Sequence, residues 1–167
     1  MFTIRPLDAS DSIQELTALL HEAYAGLGAM GLNYTAVDQS PNVTAERITG
    51  CTCFVAEEDG RLLGTATIRG PYERSDCAHY TEPDVAIVNQ VAVRLSLQGL
   101  GLGGALLAAC SSWARQQGYR RLALDTAIPA AHLVALYKKL GFEEVAQVQW
   151  DGKRYRSVVL SRNISDA

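Results

Sequence analysis

The chain has 167 residues, of which 48% are hydrophobic, a composition that suits one globular domain with its own core. Its formal net charge of −3 and its lack of a lysine and arginine cluster exclude the basic surface that nucleic-acid binding needs. No apolar run approaches the length of a membrane span, and the first residues lack the features of a signal peptide. The sequence therefore predicts a cytoplasmic protein that binds neither nucleic acid nor membranes.

The first half of the chain begins with a predicted short strand at residues 2–5 and an amphipathic helix from about Ser12 to Tyr24. Three glycines are predicted to end this helix and to begin an irregular stretch at residues 26–42, a length that is commonly functional. A short helix at residues 45–49, capped by Thr44, is predicted to follow. Residues 51–56 and 61–69 are predicted to form a hairpin, in which Gly64 indicates a bulge or a close approach.

The second half contains an almost entirely apolar segment at residues 85–93, which predicts a central strand. A glycine-rich segment, a helix to about residue 117 and a strand at residues 121–125 are predicted next. A helix that starts at Pro129 and ends at Gly141 precedes strands at residues 142–150 and 154–161, and residues 163–167 are predicted to fray. The predicted order is β-α-α-β-β-β-α-β-α-β-β.

The four cysteines predict no metal site and no disulfide framework, because only one C-x-C pair exists and no histidine lies near it. Cys51, Cys53 and Cys110 are predicted to be small buried hydrophobic residues. Cys77 falls in a polar loop, where the sequence allows it to be exposed.

The segment Gln98-Gly99-Leu100-Gly101-Leu102-Gly103-Gly104 lies where a loop enters a helix. The first turn of a helix carries unpaired N–H groups and the positive end of the helix dipole, and glycines let an anion approach closely. This pattern predicts a cradle for a phosphate or pyrophosphate, although a glycine-rich helix start without a ligand would look the same.

One interpretation of the glycines is the dinucleotide-binding pattern G-x-G-x-x-G at Gly99, Gly101 and Gly104, with Asp125 near the position of a ribose ligand. Five residues separate this loop from the preceding strand, whereas a dinucleotide-binding turn follows its strand at once. The remaining chain also has no room for the further βα units of a doubly wound sheet.

The loop also resembles the Q/R-x-x-G-x-G/A loop of the GNAT acetyltransferase superfamily, and the element order is that of the same superfamily. Residues 136–143, Leu-Tyr-Lys-Lys-Leu-Gly-Phe-Glu, are similar to its L-Y-x-x-x-G-F-x segment. The resemblance implies one α/β (mixed α+β) domain over residues 1–167, with a mostly antiparallel sheet of about seven strands and four helices.

The resemblance implies that loop amides hold the pyrophosphate of acetyl-CoA, and that the pantetheine arm pairs with the strand before the loop. The predicted cofactor-binding residues are Val91, Ala92, Val93, Gln98, Gly99, Leu100, Gly101, Leu102, Gly103 and Gly104. A backbone N–H near Val91 would stabilise the oxyanion. Tyr137 is the candidate general acid, because a phenol with an ordinary pKa of about 10 keeps its proton at neutral pH. A tyrosine that only packs on its helix is the alternative.

The sequence departs from the superfamily pattern at two places. Ala130 replaces an asparagine that often contacts the cofactor, and Asn89 and Gln90 occupy the strand positions where a glutamate base is often found. The remaining candidates for the general base are a water molecule or one of three residues near the start of that strand, which are His79, Glu82 and Asp84.

The acceptor pocket is predicted to lie among residues 26–42, residues 70–84 and the last hairpin. These segments carry Tyr34, Asp38, Tyr72, Glu73, Asp76, Tyr80, Glu82, Asp84 and Trp150. The carboxylates and tyrosines would suit a cationic amine, and a solvated loop surface explains the same charges equally well.

Three functions follow from these patterns. The first is an acetyl-CoA-dependent N-acetyltransferase that acts on a primary amine of a small molecule or peptide. The second is a non-catalytic acyl-CoA sensor of the same fold, and the third is a nucleotide-dependent oxidoreductase. The sequence leaves a homodimer open.

Overall fold

A computed structural model describes residues 1–164, which contain seven β-strands and four α-helices in the predicted order. The strands are β1 (Thr3–Pro6), β2 (Thr52–Glu58), β3 (Arg61–Arg69), β4 (Val85–Val93), β5 (Arg121–Ala127), β6 (Glu143–Val148) and β7 (Ser157–Asn163). The helices are α1 (Ile13–Ala29), α2 (Pro41–Ile48), α3 (Leu102–Gln116) and α4 (Ala131–Lys139). Of the residues predicted to fray, Asn163 belongs to β7, and residues 165–167 lie outside the described residues.

All seven strands form one sheet in the order β1-β2-β3-β4-β5-β7-β6. Strands β4 and β5 are parallel, and the other neighbouring pairs are antiparallel. The predicted mixed and mostly antiparallel sheet is therefore confirmed. The dinucleotide-binding interpretation of the glycines, on which the oxidoreductase hypothesis depends, is wrong, because a doubly wound dinucleotide fold requires a mostly parallel sheet.

Helices cover both faces of the sheet. Leu16, Leu19 and Leu20 of α1 pack with Val55 and other buried residues on one face. Helix α3 packs on the other face, and it approaches β3 closely at Gly64. A Cβ atom at Gly64 would lie 2.7 Å from Leu102 Cδ2 and 3.0 Å from the Ala92 carbonyl oxygen. The predicted close approach at Gly64 is confirmed.

Helix α1 extends beyond the predicted end at Tyr24, through Gly26 and Gly28. Glycine weakens a helix, and for this reason the sequence pattern predicted an end there. The tertiary packing explains Gly28, because a Cβ atom at that position would lie 2.8 Å from Val37 Cγ1. The glycine lets the segment after α1 fold back against the helix.

Other boundaries also differ from the prediction. Helix α2 begins at Pro41 rather than at residue 45, because Ser40 caps it by accepting a hydrogen bond from the Val43 N–H.

Cys77 is buried, although its loop position allowed exposure. Within residues 1–164, the helices are too short or too polar to cross a membrane.

Candidate active site

Strands β4 and β5 separate at one end of the sheet. Their pairing begins at Val85 with Arg121 and ends at Ile87 with Ala123, although both strands continue beyond this point. The carboxyl-terminal halves of the two strands therefore leave an opening in the sheet. After Ile87, β5 no longer pairs with β4, so the backbone on this side of β4 can pair with an extended ligand.

A bulge in β4 lies beside this opening. Asn89 pairs with Thr67 and Ala92 pairs with Thr65, so two residues of β4 face one residue of β3. Gln90 has a φ of 55°, a rare conformation for a residue other than glycine. Its side-chain oxygen accepts a hydrogen bond from Gln39 Nε2 at 2.9 Å, and the Val91 carbonyl accepts one from the Tyr24 hydroxyl at 3.0 Å. Contacts from other elements therefore hold the bulge.

The glycine loop leads from β4 into α3. Gly99 and Gly101 have φ values of 82° and 86°, which favour glycine, and Gly101 is the N-cap of α3. No side chain caps α3, so its first N–H groups are available to an anion at the positive end of the helix dipole. The side chain of Gln98 turns back to the end of β4, because its Nε2 donates to the Val93 carbonyl at 3.2 Å.

A cleft of about 1560 Å³ runs along the opening and contains nine of the ten predicted cofactor-binding residues. They are Val91, Ala92, Val93, Gln98, Gly99, Gly101, Leu102, Gly103 and Gly104. Leu100 is the exception, because its side chain is 71% exposed and lies outside the cleft lining. A residue whose side chain points to solvent can still contribute its backbone N–H.

Tyr137 of α4 lines the same cleft, and its ring packs edge-on against Phe142 with ring centroids 5.9 Å apart. Within residues 1–164 its hydroxyl makes no hydrogen bond. Burial raises the pKa of Tyr137, and Tyr34 and Asp125 raise it further, so the phenol is protonated at neutral pH. Leu136, the preceding residue of α4, is 47% exposed.

Asp125 near the end of β5 is the carboxylate of the cleft that sequence reasoning did not consider as a base. Its Oδ1 accepts a hydrogen bond from the Tyr80 hydroxyl at 2.6 Å, and its Oδ2 accepts one from Trp150 Nε1 at 3.0 Å. Burial raises the pKa of this carboxyl, although the two hydrogen bonds act against the shift. The sequence signal that could have identified Asp125 is its place at the end of the predicted strand at residues 121–125, which is the strand beside β4.

The base candidates from the sequence lie elsewhere. Arg121 binds the carboxylates of Glu82 and Asp84, with its Nη2 2.8 Å from Asp84 Oδ1, and it lowers the pKa of both. The buried His79 contacts Glu82 through Nδ1 and Ser161 through Nε2. This cluster lies at the start of β4, and none of its members lines the cleft.

Two clusters of aromatic rings, most of them on connecting segments, line the cleft. Tyr34 packs against Tyr24 and Tyr155 with centroid distances of 5.5 and 5.2 Å. Tyr80 stacks between Tyr72 and Trp150 with centroid distances of 6.3 and 6.0 Å. Of the charged residues predicted in the acceptor pocket, Asp76 lines the cleft, and Asp38, Glu73, Glu82 and Asp84 do not.

Four cationic side chains line the cleft, against the two carboxylates of Asp76 and Asp125. The cations are Arg47, Arg74, Lys139 and Lys153. Arg47, which is half-buried, donates to Gln39 Oε1 at 2.7 Å. Lys153 Nζ donates to the Asn33 carbonyl at 2.8 Å and to Thr35 Oγ1 at 2.9 Å.

Comparison with known proteins identifies the family. A family model described as the acetyltransferase (GNAT) family matches residues 14–142. An aminoglycoside N(6')-acetyltransferase type 1 from Stenotrophomonas maltophilia is 30% identical over 142 residues, which are 84% of this chain and 74% of that protein.

Solved structures agree with this family in fold. The ribosomal-protein-S18-alanine N-acetyltransferase of Escherichia coli superposes with a TM-score of 0.74 at 22% identity, over 100% of this chain and 96% of that chain. A GNAT family acetyltransferase from Elizabethkingia anophelis with acetyl-CoA bound superposes with a TM-score of 0.67 at 19% identity, over 97% of each chain. The chain belongs to the acetyltransferase (GNAT) family and is an N-acetyltransferase.

Proposed function

We propose that this protein transfers the acetyl group of acetyl-CoA to a primary amine of a small molecule or peptide by direct attack in a ternary complex. The observation that carries the proposal is the cleft itself. It joins the uncapped start of α3, the open part of β4, the phenol of Tyr137 and the carboxylate of Asp125 in one space.

The backbone of the glycine loop would bind the pyrophosphate of acetyl-CoA through N–H groups at the start of α3. The pantetheine amides would pair with β4 near Val91 and Val93, where β5 has moved away. Ala130, buried at the start of α4, offers no polar side chain to the cofactor. The cofactor would therefore be held chiefly by backbone groups.

Asp125 would accept the proton of the attacking amine, directly or through a water molecule. Both of its oxygens already accept one hydrogen bond, and each keeps a further acceptor position for the amine. A raised pKa makes a carboxylate a better proton acceptor. The sensor hypothesis depended on the missing carboxylate of β4, and Asp125 of β5 removes that reason.

The amine nitrogen would bond to the thioester carbon, and a backbone N–H near Val91 would stabilise the oxyanion that forms. The C–S bond would then break, and the thiolate would take the proton of the Tyr137 hydroxyl. The absence of a hydrogen bond to this hydroxyl within residues 1–164 supports the role, because no protein group competes for the proton.

Two measurements test the proposal. Acetyl-CoA at 100 times its dissociation constant should stabilise the protein by about 2.7 kcal/mol, which calorimetry or thermal unfolding detects. Release of thiol from acetyl-CoA should then depend on an added amine, drawn from a panel of small amines, amino acids, aminoglycosides and peptide N-termini. Failure of acetyl-CoA to bind would contradict the proposed cofactor, and binding without amine-dependent thiol release would contradict the proposed transfer.

A further inference from the structure

The acceptor end of the cleft contains two cations that have no carboxylate partner. Within residues 1–164, the ion pairs involve other groups, and neither Arg47 nor Lys153 takes part in one. Arg5, Arg94 and Arg121, in contrast, each lie against carboxylates. A partly buried cation without a counterion is costly unless a ligand supplies the charge.

The donors of Arg47 are largely unused by the protein. Within residues 1–164 its guanidinium makes one hydrogen bond, to the neutral amide oxygen of Gln39, although a guanidinium has five N–H donors. Arg162 also lacks an ion pair, but it binds the Leu140 carbonyl and the Ser111 hydroxyl and stacks on Phe142. Arg47 therefore keeps unused N–H donors beside the cleft that it lines.

Lys153 is fixed beside the same space. Two of its three N–H donors bind the Asn33 carbonyl and the Thr35 hydroxyl, so the ammonium cannot turn away from the cleft without losing them. Burial lowers the pKa of Lys153, and the nearby positive charge of Arg47 lowers it further, whereas Asp38 and Asp125 act to raise it. The two cations thus repel each other, and an anion between them would relieve this repulsion.

The proposed base, Asp125, lies near enough to Arg47 and Lys153 for their positive charges to lower its pKa. Arg47 lines the cleft beside the open part of β4, because its partner Gln39 also donates to Gln90 Oε1 in the β4 bulge. We assign the phosphates of acetyl-CoA to the N–H groups at the start of α3, whereas Arg47 is carried by α2. The cations therefore remain available to the acceptor.

We propose, on the basis of the proposed acetyl transfer, that the acceptor is an amine that also carries a carboxylate, such as a free amino acid or a short peptide. Its amine would lie at Asp125, and its carboxylate would bind Arg47 and Lys153. The rings of Tyr34, Tyr72 and Trp150 would enclose an apolar side chain. A polycationic aminoglycoside would meet two like charges and is disfavoured.

Isothermal titration of the protein saturated with CoA tests this inference without requiring turnover. The probes are phenylalanine, leucine and methionine, each compared with its own carboxamide and its decarboxylated amine, together with one dipeptide of each. We expect at least one carboxylate-bearing amine to bind about 10-fold or more tightly than its carboxamide, as for a charged hydrogen-bonded pair. If none binds more tightly than its neutral partner, the inference is wrong. The dipeptide distinguishes a peptide acceptor from a free amino acid.

Substitution of the cations tests the assignment of residues. Arg47→Gln and Lys153→Gln should each remove most of the preference for the carboxylate over the carboxamide, and Arg47→Lys should restore part of it. Arg61→Gln, on the exposed start of β3, is the matched control and should keep the preference. An Arg47→Gln protein that keeps the full preference, or that loses acetyl-CoA affinity instead, would overturn the assignment. Thiol release with the same probes reports separately on the proposed transfer.

Discussion

The substitution Asp125→Asn separates the proposed base from a structural carboxylate. An asparagine can keep both contacts of Asp125, because its Oδ1 can accept from Trp150 Nε1 and its Nδ2 can donate to the Tyr80 hydroxyl, which also accepts. The fold should therefore remain, and only proton acceptance is lost. Turnover should fall about 10²–10⁴-fold, the usual contribution of a general base.

The pH dependence gives a second readout. Because burial raises the pKa of Asp125, the wild-type rate should rise with pH as this carboxyl loses its proton, and this rise should be absent in Asp125→Asn. A carboxyl with a raised pKa binds more protons folded than unfolded, so its contribution to stability falls as pH rises from the ordinary value through the raised value. At pH 7 the asparagine variant should therefore unfold at the same temperature as the wild type or higher.

The assay is thiol release at saturating acetyl-CoA with an acceptor from the panel, under conditions where chemistry limits the rate. Asp84→Asn is the matched control, since Asp84 lies outside the cleft and binds Arg121. Arg121 lowers the pKa of Asp84, so this control should lose stability above the ordinary carboxyl pKa and keep its turnover. An Asp125→Asn enzyme that retains more than about a tenth of wild-type turnover would refute the assignment of the base.

Four further substitutions have defined outcomes. Gly103→Val adds a side chain whose Cβ meets only Val93 Cγ2, at 3.8 Å, so the protein should fold but bind acetyl-CoA more weakly by roughly 2–4 kcal/mol in calorimetry; wild-type affinity would contradict the loop as the pyrophosphate site. Tyr137→Phe should keep acetyl-CoA affinity and lower turnover about 10²–10³-fold, and an unchanged rate would leave proton donation to water. Gly64→Val should lower the free energy of unfolding in denaturant titration by about 1–3 kcal/mol, because its Cβ meets Leu102 and the Ala92 carbonyl. Gly26→Ala, with no atom within 4 Å of the new Cβ, should be neutral or raise that free energy by about 0.5–1 kcal/mol, so equal losses in both variants would contradict the packing argument.

The parts of the fold that the sequence predicted are those fixed by local pattern. Apolar runs located β3 and β4 at residues 61–69 and 85–93, and the glycine loop located the start of α3. The end of α1 was predicted incorrectly because the reason for Gly28 is a contact with Val37 on another segment. Helix propensity contains no information about such a contact.

The residues of the candidate site also fall into two groups, those that a local sequence pattern predicts and those that only the folded chain brings together. The proposed cofactor-binding residues fall in two short segments, 91–93 and 98–104, and nine of these ten residues line the cleft. The environment of Asp125 is built by Tyr80 and Trp150, which are 45 and 25 residues away along the chain. Arg47 and Lys153 likewise come from α2 and the turn before β7. Only the folded chain shows that these charges share one space.

The two ends of the cleft are built from different parts of the protein. The cofactor end consists of backbone groups of β4 and the start of α3, where most side-chain changes would disturb the sheet. The proposed acceptor end consists of side chains on connecting segments, such as Tyr34, Tyr72 and Lys153, which lie outside the seven strands. Selection can therefore alter which amine is recognised by a few substitutions while acetyl-group donation is inherited unchanged, and an acceptor bound through Arg47 and Lys153 can be lost or gained within closely related lineages.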